Sequence, residues 1–177
     1  INQDFANCAW VRPIILELGG KNPAVVSKHA DLERAAIGIV RSAFGLQGQK
    51  CSACSRVYIE EEVYEPLVKR LVDLTNRLTI GDPTERTVYL GPVANSGSYN
   101  DFKNFTEELS QAGTILTGGK VLTEGAYAKG YFCPPTLVAD VPYEHHLWKD
   151  EMFLPITTIG RVKNLDEAMR HANDVSY

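Results

Sequence analysis

Short apolar runs alternate with helix-spaced apolar stripes along this chain, and the alternation predicts the order of its elements. Asn22 to Ser27 contains the run Pro23, Ala24, Val25 and Val26, suited to a buried strand. Asp31 follows as a helix N-cap. Leu32, Ala35, Ala36, Ile39, Val40 and Ala43 then recur at helical spacing until Gly45 ends the helix. Arg56 to Ile59 reads as a second strand. A helix from about Glu61 to Leu78 places Val63, Leu67, Leu71 and Leu78 on one side and tolerates Pro66 in its first turns, before Gly81, Asp82 and Pro83 break it. Another spans Asn95 to Gln111, with Tyr99, Phe102, Phe105 or Thr106, and Leu109 inward, and stops at Gly113. Thr114 to Thr117, Tyr131 to Ala139 and Ile156 to Val162 are strand-like, and Leu165 to Ala172 is a last helix capped by Asn164. Strand and helix in alternation imply an α/β layered fold on a largely parallel sheet. Asp174 to Tyr177 read like the approach to a further strand.

Length and composition narrow the class. The chain has 177 residues, 44% apolar and 23% charged, which is ordinary globular composition and predicts one domain, or one and a fraction. Lys and Arg number 18 against 22 Asp and Glu, a net charge of −4 that disfavours nucleic acid and anionic membranes as partners. No apolar stretch approaches the roughly 20 residues that span a bilayer. The first residues lack the basic start and apolar block of a secretory signal, and a beginning at Ile1 is compatible with a processed or cut N-terminus. Four cysteines, Cys8, Cys51, Cys54 and Cys133, are too few and too unevenly spaced for a disulfide framework. That favours a reducing, intracellular setting: cytoplasm, or mitochondrial matrix in a eukaryote. The sequon at Asn104 to Thr106 reads as a chance match there.

The densest chemical signal is Gly48 to Arg56, GQKCSACSR. Small residues around a cysteine leave room for a ligand to reach sulfur, and Lys50 with nearby backbone N–H groups favours a thiolate. Cys51 is thus a candidate nucleophile. Two other readings stand beside it: an inert core cysteine, or, through the CxxC of Cys51 and Cys54, a redox dithiol or half a zinc site. Completing zinc needs two more ligands. Cys8 and Cys133 are remote, and His145 with His146 lacks the i, i+4 spacing of a helical pair.

A second stretch is Leu16 to Pro23, LELGGKNP. Glu17 between leucines sits in an apolar setting that suits a general base, and the glycine pair lets backbone approach a ligand closely. The alternative is a strand-end glutamate paired with Lys21. Neither Gly19-Gly20-Lys21 nor Gly118-Gly119-Lys120 has the spaced glycine or the Ser/Thr of a phosphate loop, and there is no GxGxxG. A third stretch, Lys149 to Pro155, sets two acids and an aromatic before a strand. It reads as a turn whose carboxylate is able to bind ribose hydroxyls.

In this order the three stretches closely resemble the aldehyde dehydrogenase superfamily. Glu17 to Lys21 matches its ELGGK signature, Gly48 to Arg56 its nucleophile signature and Glu151 to Pro155 its EIFGP segment, with Leu154 in place of the usual Gly. Gly91-Pro92 and Gly130 to Thr136 add support, so the likeness covers nearly the whole chain. GQKCSACSR is most similar to the 1-pyrroline-5-carboxylate dehydrogenase branch, which oxidises glutamate semialdehyde to glutamate in proline catabolism.

The resemblance implies a three-layer α/β sandwich, NAD as cofactor and an aldehyde as substrate. It implies that Cys51 attacks the aldehyde carbon and that the Cys51 N–H, with an Asn side chain from elsewhere in the enzyme, holds the oxyanion. Glu17 then activates the water that hydrolyses the thioester. By the same resemblance Glu151 binds the nicotinamide ribose with Phe153 beside it, Leu18 lies under the nicotinamide, and Ser52 holds the substrate carboxylate. No metal and no role for Cys54 are implied. Residues 1–17 become the tail of a cofactor-binding domain, and 18–177 a catalytic domain incomplete at its C-terminus. Such a segment is expected to be inactive alone, and the full-length enzyme is expected to be a homo-oligomer.

Overall fold

The strands β1 (Asn22–Val26), β2 (Cys54–Glu60), β3 (Thr114–Thr117), β4 (Thr136–Ala139) and β5 (Ile156–Val162) form one sheet in the order β1-β2-β5-β4-β3. A computed structural model of the chain describes Trp10, Pro13 and residues 15–177; Cys8 and most of the tail expected over 1–17 lie outside the described residues. β1, β2, β5 and β4 run parallel, and β3 returns antiparallel along β4. Among the described residues the α-helices are α1 (Leu32–Phe44), α2 (Tyr64–Asn76), α3 (Ser96–Ala112) and α4 (Leu165–Asn173).

Alternation along β2 shows why three layers form. Val57 and Ile59 point into one apolar cluster with Phe44 of α1 and Leu67 and Leu71 of α2, whereas Tyr58 points into another with Phe102 and Leu109 of α3 and Ala168 of α4. A strand buried on both faces needs helices on both, which a parallel sheet with helical crossovers supplies. The largest side chains in the second cluster stack around Tyr58, with Trp148 at a ring-centroid distance of 5.3 Å.

The caps read from sequence at Asp31 and Asn164 are formed, accepting the amides of Arg34 and Glu167 at 3.1 and 2.9 Å. Asn95, read as the first residue of its helix, instead caps it by accepting Ser98 N–H at 2.9 Å. Two expected elements change. The strand expected over Tyr131 to Ala139 is shortened to Thr136–Ala139, because Pro134 and Pro135 have no N–H to give a ladder. The second strand begins earlier than Arg56, at Cys54, so Cys54 and Ser55 at the end of the small-residue stretch are sheet. Among the described residues no helix is long and apolar enough to cross a membrane.

Candidate active site

Each of the three motifs ends where a parallel strand begins, and those strands are neighbours. Glu17 to Lys21 runs into β1, Cys51 to Ala53 into β2, and Glu151 to Pro155 into β5; Asn22 pairs with Cys54, and Arg56 with Thr158. Parallel, adjacent strands put their amino ends at one edge of the sheet, so motifs far apart in sequence converge there. The edge is opposite to the carboxyl ends at which open α/β sheets usually bind ligands.

Glycines make the convergence possible. Gly19, at φ +77°, lies so close to Glu151 that a Cβ would fall 3.2 Å from its Cδ and nearer still to Oε2, while a Cβ on Gly20 would fall 2.6 Å from the Cys51 carbonyl oxygen. The close approach anticipated from the glycine pair is thus made to the other two motifs of the chain. Gly20 N–H donates to Glu151 Oε1 at 3.2 Å, and Asn22 Nδ2 donates to the carbonyls of Cys51 at 2.5 Å and Ala53 at 3.2 Å. Gly48, at φ +67°, packs against the backbone of Leu154 and Pro155, so the loop carrying Cys51 and the third motif also touch. Leu154 itself is buried, and the left-handed conformation in that loop falls on Phe153, at φ +52°.

The result is a cleft of about 550 Å³ lined by Glu17, Gly19, Gln49, Lys50, Cys51, Ser52, Glu151 and Phe153. Cys51 is exposed in it, whereas Cys54 is buried in β2, where desolvation pushes its thiol up to about 11. The two cysteines of the CxxC therefore differ in kind: one reaches the cleft and the other is core. Cys133 is buried too, its thiol pushed up to about 12. Phe153 forms part of the wall with 44% of its surface exposed, and Ser52 also borders a neighbouring groove between β1 and α1. Leu18 lies outside the lining and is 74% exposed.

Lys21 is not paired with Glu17. Its side chain is 2% exposed and its Nζ has no hydrogen-bond partner among the described residues. Burial, then the Arg56 charge, lower its pKa to about 7, against the weaker pull of Asp150 and Glu151. Arg56 is buried but satisfied: its guanidinium donates to Lys21 O, to His171 O at 3.1 Å, to Ala172 O at 3.0 Å and to Tyr58 Oη at 3.1 Å. It thereby ties the first motif to the carboxyl end of α4, where a cation suits the helix dipole. Gln49 anchors the loop carrying Cys51 to the start of α3, accepting Ala94 N–H at 2.9 Å and donating to Ser98 Oγ at 3.3 Å. Asn22, Gln49 and Arg56 were not singled out from sequence. Only their positions inside or beside the motifs hinted at them, since each acts through contacts distant along the chain.

The family model described as "Aldehyde dehydrogenase family" matches residues 2–177. The chain is 44% identical over 168 residues to 1-pyrroline-5-carboxylate dehydrogenase of Geobacillus thermodenitrificans, covering 95% of the chain and 32% of the relative. The Bacillus cytotoxicus protein of the same name is likewise 44% identical over 168 residues, with the same coverage. Among solved structures, 1-pyrroline-5-carboxylate dehydrogenase from Thermus with bound NAD superposes with a TM-score of 0.84 at 39% identity, covering 90% of this chain and 30% of that one. Betaine aldehyde dehydrogenase from Staphylococcus aureus in complex with NAD+ gives 0.87 at 27% identity, covering 91% and 32%. The chain therefore spans about a third of the length of the relatives it matches.

Proposed function

The chain belongs to the aldehyde dehydrogenase family, and from that premise we propose that it carries the catalytic centre of an NAD-dependent enzyme oxidising glutamate semialdehyde to glutamate. One observation carries the reading: the exposed Cys51 shares a cleft with Glu17, Ser52 and Glu151, residues drawn from three motifs that meet only in the fold. The 44% identity to relatives named 1-pyrroline-5-carboxylate dehydrogenase supports the substrate.

In this reading the Cys51 sulfur adds to the aldehyde carbon, and the Cys51 N–H stabilises the oxyanion together with an Asn side chain from the remainder of the enzyme. The chemistry required of NAD is acceptance of a hydride, which leaves a thioester on Cys51. Glu17 takes a proton from the water that hydrolyses the thioester. Ser52 holds the substrate carboxylate. Glu151 suits the cofactor ribose: it is half-buried in the cleft wall, with one carboxylate oxygen held by Gly20 N–H and the other without a hydrogen bond among the described residues, and Phe153 supplies an apolar surface beside it. Leu18, exposed on the same edge, is free to meet the nicotinamide. Residues 1–17 belong in this proposal to the end of the cofactor-binding domain and 18–177 to the catalytic domain; the remaining dinucleotide contacts and any oligomer interface are assigned to the rest of the protein.

The test is steady-state turnover of the full-length enzyme on glutamate semialdehyde and on succinate semialdehyde. The proposal expects preference for the former, loss of turnover in Cys51→Ala and a trapped thioester in Glu17→Gln. Undiminished activity in the cysteine variant would refute the mechanism, and preference for succinate semialdehyde would refute the substrate.

A further inference from the structure

We propose that Glu108, His145 and His146 form a binding site for a divalent cation of the zinc class, with Asp150 orienting His146 from behind. Glu108 belongs to α3, and both histidines to the segment that runs from β4 to Glu151. Glu108 Oε1 lies 2.5 Å from His146 Nε2 and 3.3 Å from His145 Nε2, so two imidazoles converge on one carboxylate oxygen. Their rings are close to parallel, at 21°, with centroids 5.0 Å apart. One ligand atom from each of the three side chains lies within 4.8 Å of the others, and no second such group occurs among the described residues.

The fourth side chain separates this cluster from an ordinary surface ion pair. Asp150 Oδ2 is 2.7 Å from His146 Nδ1. A carboxylate there keeps the ring proton on Nδ1 and leaves the Nε2 lone pair aimed at the cluster, as behind metal-bound histidines generally. Zinc bound tetrahedrally at about 2.0–2.1 Å holds its donor atoms about 3.3 Å apart. The Glu108–His145 separation already has that value at 3.3 Å, and Glu108–His146 has to open from 2.5 Å by about 0.8 Å. Glu108 and His146 have side chains 40% and 55% exposed, so rotamer adjustment suffices. Imidazole and carboxylate donors select zinc, cobalt, nickel or copper over magnesium and calcium, which take oxygen alone. His145 Nδ1 accepts the Leu147 amide at 3.3 Å, so ligation through Nε2 moves its ring proton to Nδ1 and gives that amide to water. Three protein ligands leave a fourth position for water. An ion so held ties α3 to the segment that ends at Glu151.

The experiment titrates Zn2+ and Co2+ into protein whose accessible thiols have been alkylated, which removes Cys51 as a competing ligand. Calorimetry is expected to give one saturable Zn2+ site, and the Co2+ complex an absorption spectrum without a thiolate charge-transfer band. Affinity should fall at least about tenfold in Glu108→Gln and in His146→Asn, and about tenfold in Asp150→Asn, the usual range for an orienting carboxylate. Zn2+ should also raise the unfolding midpoint of the unsubstituted protein but not of His145→Ala/His146→Ala, with far-UV dichroism showing that each variant is folded. Absence of saturable binding, or binding undiminished in that double variant, would overturn the site.

Discussion

Replacing Lys21 by methionine should stabilise this chain near neutral pH, and the gain should shrink as the pH rises. Lys21 is 2% exposed, its Nζ is without a hydrogen bond among the described residues, and its pKa is lowered from 10.5 to about 7. The difference between those values corresponds to about 5 kcal/mol by which the fold prefers the neutral amine over the ammonium. Below about pH 7 folded and unfolded chains both hold the proton, so the full cost of burying the charge is present. Between about 7 and 10.5 the unfolded chain keeps the proton that the folded chain has released, so stability rises with pH. Methionine fills a similar volume without a charge and removes the linkage. Urea unfolding of the two chains at pH 7.0 and pH 9.5 isolates the effect, because other titrating groups cancel in the difference. The unsubstituted chain should gain roughly 3 kcal/mol on Lys21→Met over that interval. Parallel pH curves for the two would refute the reasoning, since they would mean that Lys21 is a paired ammonium throughout.

Further outcomes follow from the same geometry. Gly48→Ala places a Cβ 2.7 Å from the Leu154 carbonyl carbon and 2.9 Å from Pro155 N at a left-handed φ of +67°, so it should cost at least about 2 kcal/mol in chemical denaturation. Gly38→Ala, in α1 with nothing within 4 Å of the added carbon, should instead stabilise by about 0.5–1 kcal/mol. Of Cys51, Cys54 and Cys133, only Cys51 should react with iodoacetamide at pH 8 in the folded protein, as read by peptide mapping; rapid labelling of Cys54 would contradict its burial. Asn22→Ala should lower turnover of the full-length enzyme about tenfold or more, because the loop carrying Cys51 loses its side-chain hydrogen bonds at 2.5 and 3.2 Å, and unchanged turnover would show that the loop holds its shape without them.

Much of the fold was legible because its determinants are local. Period-3.6 stripes that start at or just after Asp31, Asn95 and Asn164 located three helices to within a residue or two, and each of these residues accepts an amide three positions on. Boundaries failed where a nonlocal partner decides them. Cys54 is a strand residue because Asn22 lies opposite it in β1, and nothing in GQKCSACSR by itself says so. The site followed the same division. Motif content pointed to Cys51, Glu17 and Glu151 and gave Cys54 no role, whereas the physical difference between the two cysteines, burial of Cys54 in β2, came only from packing.

The sequence alone therefore determined the alternation of strand and helix, the caps, and the residue types able to do thiol and carboxylate chemistry, since each depends on neighbours within a few positions. Only the tertiary structure decided that β1, β2 and β5 stand side by side, bringing three amino-terminal motifs to one edge. It also decided that Lys21 is buried with no hydrogen bond to its Nζ among the described residues and that Glu108 faces two histidines from another segment. Those outcomes depend on strand order and on desolvation, which are properties of the packed chain and are written at no single stretch of it.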